Sequence, residues 1–197
     1  MNYIIKGTSR CGKTMLTNLI VQKLVGYNKF STDNFIGAFM SAMPELEINH
    51  SSGNGMKKLF PKFLSSLINN TKKKDNKLDL YYVLEGVDIS EELLEEFDAQ
   101  DDVTVICLGK PNLSREEYFN QVRYYEKRYL YGEWTKRLSD DELLRYCDYW
   151  ILEANYIKQL CEEKGYLFFD TSYNQEKVIN DIFKKIKHSN AKNLERK

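Results

Sequence analysis

Apolar and polar positions along the chain switch repeatedly between a period near two and a period near 3.6. Asn2-Tyr3-Ile4-Ile5-Lys6 is a short β-prone run. From Met15 to Val25 the apolar residues Leu16, Leu19, Ile20 and Leu24 share a helical face. Asn28-Lys29-Phe30-Ser31 reads as a second strand, and a polar stretch from Pro44 to Gly55 reads as a mobile loop. A helical period returns over Met56 to Asn69, with Leu59, Phe60, Phe63, Leu64, Leu67 and Ile68, before a charged connector from Thr71 to Lys77. Leu80-Tyr81-Tyr82-Val83-Leu84 is a third strand ending at Glu85-Gly86, and Ser90 caps a helix reaching Phe97. Val103 to Leu108 is almost continuously apolar, as a parallel strand buried on both faces must be. Ser114 opens a helix to about Leu130, with Glu116 and Glu117 at its positive end. Tyr131 to Ser139 reads as irregular. Asp140 to Lys164 is helical, with a break expected near Cys147-Asp148. Tyr166-Leu167-Phe168-Phe169 is the last strand, and a helix from about Gln175 to Ile186 closes the pattern. This alternation predicts an α/β sheet with helices on both faces. It predicts one domain over 1–187 and a polar tail over 188–197.

The first strand–helix junction carries the most specific chemistry. Gly7-Thr8-Ser9-Arg10-Cys11-Gly12-Lys13-Thr14 spells G-x-x-x-x-G-K-[ST], between a strand and a helix as that motif requires. Glycines permit backbone turns that side chains block. Loop N–H groups and the helix N-terminus then face one anionic pocket. Lys13 can reach the β- and γ-phosphates of a nucleotide, and the Thr14 hydroxyl can ligate Mg²⁺.

Composition narrows the partners. The 29 basic and 29 acidic side chains cancel, which argues against bulk electrostatic binding to nucleic acid or to an anionic membrane. No apolar run approaches a membrane span, and a phosphate loop beginning at Gly7 leaves no room for a signal peptide. Cys11, Cys107, Cys147 and Cys161 contain no CxxC pair and read as reduced thiols of a cytoplasmic protein. His50 and His188 are too far apart in sequence for a histidine-based metal site and read as surface residues.

Ligands of open α/β sheets bind at the carboxyl ends of the strands. Strand two delivers Asp33, a carboxylate able to take a proton from an alcohol nucleophile aimed at the γ-phosphate, or equally to cap a helix. Strand three delivers Glu85, with Asp88 behind it. Glu85 is either a metal-side acid that holds Mg²⁺ and its waters or a turn residue before Gly86. Strand four gives Gly109-Lys110, and strand five gives Asp170-Thr171-Ser172. The stretch from Arg115 to Arg137 is dense in bases and aromatics, including Arg123, Arg128, Arg137, Tyr118, Tyr124, Tyr125, Tyr129, Tyr131 and Trp134. It reads either as a lid over about 112–140 that brings arginine to the transferring phosphoryl group, or as a solvated helix with its rings on the core.

Together these residues resemble the small-molecule P-loop kinases of the nucleoside and nucleotide kinase-like group, which includes uridine, gluconate and shikimate kinases and chloramphenicol phosphotransferase. The resemblance rests on Gly7 to Thr14, on Thr32-Asp33-Asn34-Phe35, on Val83-Leu84-Glu85-Gly86-Val87 and on Tyr166 to Ser172. It implies a three-layer α/β/α fold with a five-stranded parallel sheet of order 2-3-1-4-5, a helical lid bearing arginine, ATP and Mg²⁺ as cofactors, and Asp170-Thr171-Ser172 beside the adenine. The expected activity is transfer of the γ-phosphate to a hydroxyl of a small molecule such as a nucleoside or sugar-like compound, with homodimerisation left open. The segment Asp33 to Asn70 leaves the acceptor undefined. A kinase of a larger target, as in toxin-type P-loop kinases, and a nucleotide-binding regulatory ATPase or GTPase are the alternatives. Asn76-Lys77-Leu78-Asp79 spells the guanine-reading N-K-x-D pattern but precedes strand three, and guanine reading needs it after a late strand.

Overall fold

The structure is a computed structural model that describes residues 1–50, 53–72, 80–128 and 133–194. The Asn76-Lys77-Leu78-Asp79 motif, most of the charged connector before it, and Tyr129, Tyr131 and Gly132 lie outside the described residues. Five parallel strands form one sheet of order β2-β3-β1-β4-β5: β1 (Asn2–Gly7), β2 (Tyr27–Ser31), β3 (Tyr81–Gly86), β4 (Val103–Gly109) and β5 (Leu167–Asp170). The helices are α1 (Lys13–Lys23), α2 (Thr32–Ala42), α3 (Phe60–Lys72), α4 (Glu91–Asp98), α5 (Arg115–Arg128), α6 (Glu133–Lys136), α7 (Asp140–Lys164) and α8 (Gln175–Leu194). This is the three-layer α/β/α arrangement, with the strand order expected from the resemblance. No helix among the described residues is long and apolar enough to cross a membrane.

Two compact units are interleaved in sequence. The first comprises 1–6, 13–106 and 179–197. In it β3 lies between β1 and β2, with Ile5 and Ser31 both in register with Glu85. Asn2 fastens the start of β1, bonding Asp102 through its side-chain amide at 2.8 Å and accepting from the Tyr82 amide at 2.9 Å. Ile4, Ile5, Val83 and Leu84 are fully buried with Leu16 and Ile20 of α1. Each such side chain contributes about 1.5–3 kcal/mol through area removed from water. On α3 the buried face is Phe60, Leu64 and Ile68, one turn apart. Phe63 meets Phe35 and Phe39 of α2 edge-on, with centroids 5.1 and 5.0 Å apart. The polar stretch after Pro44 is pinned, because Pro44–Leu46 forms a 3₁₀ turn and Ile48 is buried.

The second unit comprises 7–12 and 107–178. Its core gathers Leu113, Tyr118 and Val122 with Leu143, Cys147 and Trp150. α7 opens on a capping box, in which Ser139 and Glu142 satisfy each other's backbone amides, and it stops at Gly165 in the left-handed region. Its 25 residues run unbroken through Cys147-Asp148, where the sequence predicts a break. Cys147 is buried in the core, while Asp148 stays exposed and pairs with Arg115 at 3.5 Å. α8 also extends beyond Ile186, to Leu194. Residues 187–194 carry no apolar stripe and no Gly or Pro, so periodicity gives no sign of the helix and nothing in the segment breaks it.

Candidate active site

The loop between β1 and α1 is shaped by backbone that side chains would obstruct. A Cβ on Gly7 would stand 2.2 Å from the Leu108 carbonyl oxygen. Arg10 and Gly12 both adopt positive φ, at 61° and 103°. For Arg10 that is the left-handed region, which a side chain enters only at a cost. Side chains of the second unit fasten the loop's carbonyls. The Tyr118 hydroxyl donates to Ser9 O at 2.7 Å and lies 3.3 Å from the Thr8 hydroxyl. Thr171 Oγ1 donates to Cys11 O at 2.9 Å. Carbonyls held in this way are kept from an anion that the loop amides would bind. Cys11 itself is fully buried.

Arg10 is anchored through its side chain. Its guanidinium donates to Thr135 Oγ1 at 2.6 Å and lies 5.9 Å from the Trp134 ring centre. Burial lowers its pKa, while the negative charge of Glu126 raises it. The Thr135 hydroxyl donates in turn to buried Glu126. Arg123 donates to Glu126 at 3.0 Å, to Asp140 at 2.8 Å and to the carbonyls of Thr135 and Leu138. The sequence offers Arg123 as a phosphate ligand; in this structure it is the clasp joining α5, α6 and the start of α7. Arg128 bonds the Tyr124 hydroxyl on its own helix at 2.6 Å, and Arg137 follows α6 with an exposed side chain. Asp170 accepts from Asn112 and from the Ser172 amide, and Ser172 accepts from the Asn112 amide and from Gln121.

In the first unit, Lys13 opens α1 and Thr14 follows it. The Thr14 hydroxyl lies 3.2 and 3.3 Å from the two Glu85 oxygens. Glu85 is 4% exposed and also pairs with Lys29 at 3.3 Å. It therefore stands between a hydroxyl and a cation, a buried acid rather than a turn residue. Gly86 lets α2 approach, since a Cβ there would fall 1.8 Å from Thr32 Oγ1. Ser31, not Asp33, occupies the N-cap of α2, so Asp33 does not cap the helix. Asp33 stands exposed in the first turn, where its carboxylate, the His50 ring and Asp88 come within 4.8 Å of one another. His50 Nδ1 is 3.6 Å from Asp88. Burial raises the Asp88 pKa, His50 opposes that, and Asp33 adds to it. Lys6 donates to the carbonyls of Val87 and Ile89 on either side of Asp88, at 3.1 and 2.6 Å.

Tyr118, Thr135 and Glu126 carry no positional signal in the sequence that marks them as loop partners. Tyr118 stands out only as one aromatic among many.

No family model matches the chain, and no curated protein sequence matches it. Solved structures do. A gluconokinase from Sinorhizobium meliloti 1021 aligns at a TM-score of 0.57 and 11% identity, over 98% of this chain and 94% of that one. A shikimate kinase from Bacteroides thetaiotaomicron aligns at 0.54 and 16%, over 95% and 98%. A shikimate kinase from Acinetobacter baumannii, in complex with shikimate, aligns at 0.52 and 17%, over 98% and 93%. The chain has the fold of the P-loop small-molecule kinases. Two of the group's members read from the sequence, shikimate and gluconate kinases, are thus also its neighbours in three dimensions.

Proposed function

We propose that the protein is an ATP-dependent phosphotransferase that moves the γ-phosphate to a hydroxyl of a small molecule. The observation that carries the reading is the Thr14–Glu85 contact, 3.2 Å at its shorter, one residue after the lysine of a fastened phosphate loop. A hydroxyl and a carboxylate are the hard oxygen donors that Mg²⁺ favours, and the Gly7 close approach leaves no room for a side chain against the strand. The residues present therefore suit a magnesium–nucleotide complex, which when bound supplies the phosphoryl group and neutralises its charge.

The chain's own contributions follow from position. Lys13 places a cation against the β- and γ-phosphates at the start of α1, where the helix dipole also favours an anion. Thr14 and Glu85 hold the metal side. Asp33 orients the acceptor hydroxyl and takes its proton. The loop 7–12 is held by Tyr118, Thr171 and Arg10, so its amides are preorganised. One of Arg123, Arg128 and Arg137 supplies the cation at the transferring group; Arg128 and Arg137 have exposed side chains, and Arg123 bonds Asp140. Asp170, Thr171 and Ser172 border the base of the nucleotide.

An ATP-consumption screen against nucleosides, sugars, sugar acids, vitamins and aminoglycoside-like alcohols tests the reading. With the best acceptor, Asp33→Asn lowers turnover by about 10²–10⁴-fold and leaves ATP affinity nearly intact. Near-normal turnover in that variant removes the base. Slow hydrolysis that no acceptor stimulates points instead to a nucleotide-binding regulator.

A further inference from the structure

One lysine sealed inside the second unit has no role in the chemistry above. Lys110 follows β4 directly and its side chain is wholly buried. Its ammonium donates to Gln121 Oε1 at 2.6 Å and lies 5.3 and 5.7 Å from the ring centres of Tyr118 and Tyr125. An amide and two ring faces accept a proton donor well, but none of them cancels a unit charge. The titratable groups facing it are Cys11 of the loop, Cys147 of α7, Asp170 at the end of β5, and the two tyrosines of α5. Asp170 is the only carboxylate among them and attracts the ammonium least of the three groups that raise its pKa; its oxygens accept from Asn112 and Ser172. Burial pushes the Lys110 pKa down to about 8, which still leaves a cation at neutral pH.

A buried charge requires an opposite charge nearby, and Tyr118 shows on which side it would come. The ring that carries Lys110 on its face sends its hydroxyl to Ser9 O and meets Thr8. The ammonium is thus one aromatic ring behind the phosphate loop. We propose that Lys110 is a positioning residue of the phosphate site: through Tyr118 and the dry interior it lends positive potential to a polyphosphate on the loop, and that polyphosphate holds the proton on Lys110. This rests on the reading of the loop as a phosphate site. Binding and protonation are reciprocal, so each must strengthen the other.

The test is calorimetric titration of ATP into the full chain near pH 8.5, in buffers of different ionisation enthalpy. Wild type takes up protons on binding ATP. A one-unit rise of the Lys110 pKa corresponds to uptake of about half a proton there, and to about tenfold weaker binding once the lysine is neutral. Lys110→Met, an apolar chain of similar length, abolishes the uptake and flattens the alkaline loss of affinity; a melting curve confirms its fold. If Lys110→Met still takes up the proton on binding ATP, Lys110 is not the titrating group and the proposal falls. Binding of ATP by wild type without proton uptake overturns this proposal alone, whether or not Lys110→Met folds. Absence of ATP binding by wild type overturns the phosphate-site reading and this proposal with it.

Discussion

Replacing Arg10 separates two opposing effects within the loop. Its backbone sits at a φ of 61°, where a residue with a Cβ is less stable than glycine by about 1–2 kcal/mol. Its guanidinium recovers that loss on α6. The 2.6 Å bond to Thr135 is a hydrogen bond from a charged donor, worth about 1.5–3 kcal/mol. The contact with half-exposed Trp134 adds about 0.5–1 kcal/mol. Arg10→Ala loses both contacts and keeps the backbone cost, so it is destabilised by about 2–4 kcal/mol. Arg10→Gly loses the same contacts but sheds the strain, and so lies about 1–2 kcal/mol above the alanine variant. The expected order is wild type, then glycine, then alanine, although at most positions glycine destabilises more than alanine. Urea unfolding followed by tryptophan fluorescence measures it, with the midpoint compared at constant slope. Alanine as stable as glycine would mean that the backbone at residue 10 carries no such strain. Alanine matching wild type would mean that the hold on α6 contributes nothing.

Other consequences can be checked separately. Lys13→Ala abolishes ATP turnover and weakens ATP binding in calorimetry; unchanged binding removes Lys13 from the phosphate site. Gly86→Ala forces Thr32 to move and destabilises the fold by about 1–3 kcal/mol, read by the same urea assay. For stability against pH, the depressed Lys110 pKa sets the sign: between about 8 and 10.5 the unfolded chain holds the proton that the folded chain has released, so stability rises with pH. Cys147, pushed up to about 12, and Tyr118, also raised, act in the opposite direction. The difference between wild type and Lys110→Met isolates the lysine, and it moves in favour of wild type by about 2 kcal/mol from pH 7 to about 9.5. A difference that stays flat refutes the buried-cation assignment.

The strands and the loop are legible because they are written locally, whereas the strand order comes from the resemblance. An apolar run followed by the loop motif and a helical period fixes the first strand, the turn and α1 without reference to distant residues. The motif and the strand end each point to a metal-side role for Thr14 and Glu85, and the register of β1 with β3 allows the two side chains to meet. The holding network was not legible. Arg10, Thr135, Glu126 and Arg123 are polar residues with no shared period, joined across 3 to 125 positions of chain. Arginine in a basic, aromatic stretch looks the same whether it meets a phosphate or a buried glutamate, so the bond from Arg123 to Glu126 could not be read from the sequence. Asp33 and Ser31 are both good capping residues, and only backbone geometry separates them.

The bonds that fasten the phosphate loop also order events during synthesis. Gly7 to Gly12 leave the ribosome long before their partners, since Tyr118, Thr135 and Thr171 are made 109 to 160 positions after the loop residues they hold. At about 5–20 residues per second, that is roughly 5 to 30 seconds with the loop exposed and unanchored. During that interval its left-handed turn at Arg10 has nothing to sustain it, and a nucleotide would find no formed nest. Thr171 must therefore be made before ATP can act as a folding ligand. Slowing or truncating synthesis after α5 would leave a nascent chain that nucleotide cannot rescue.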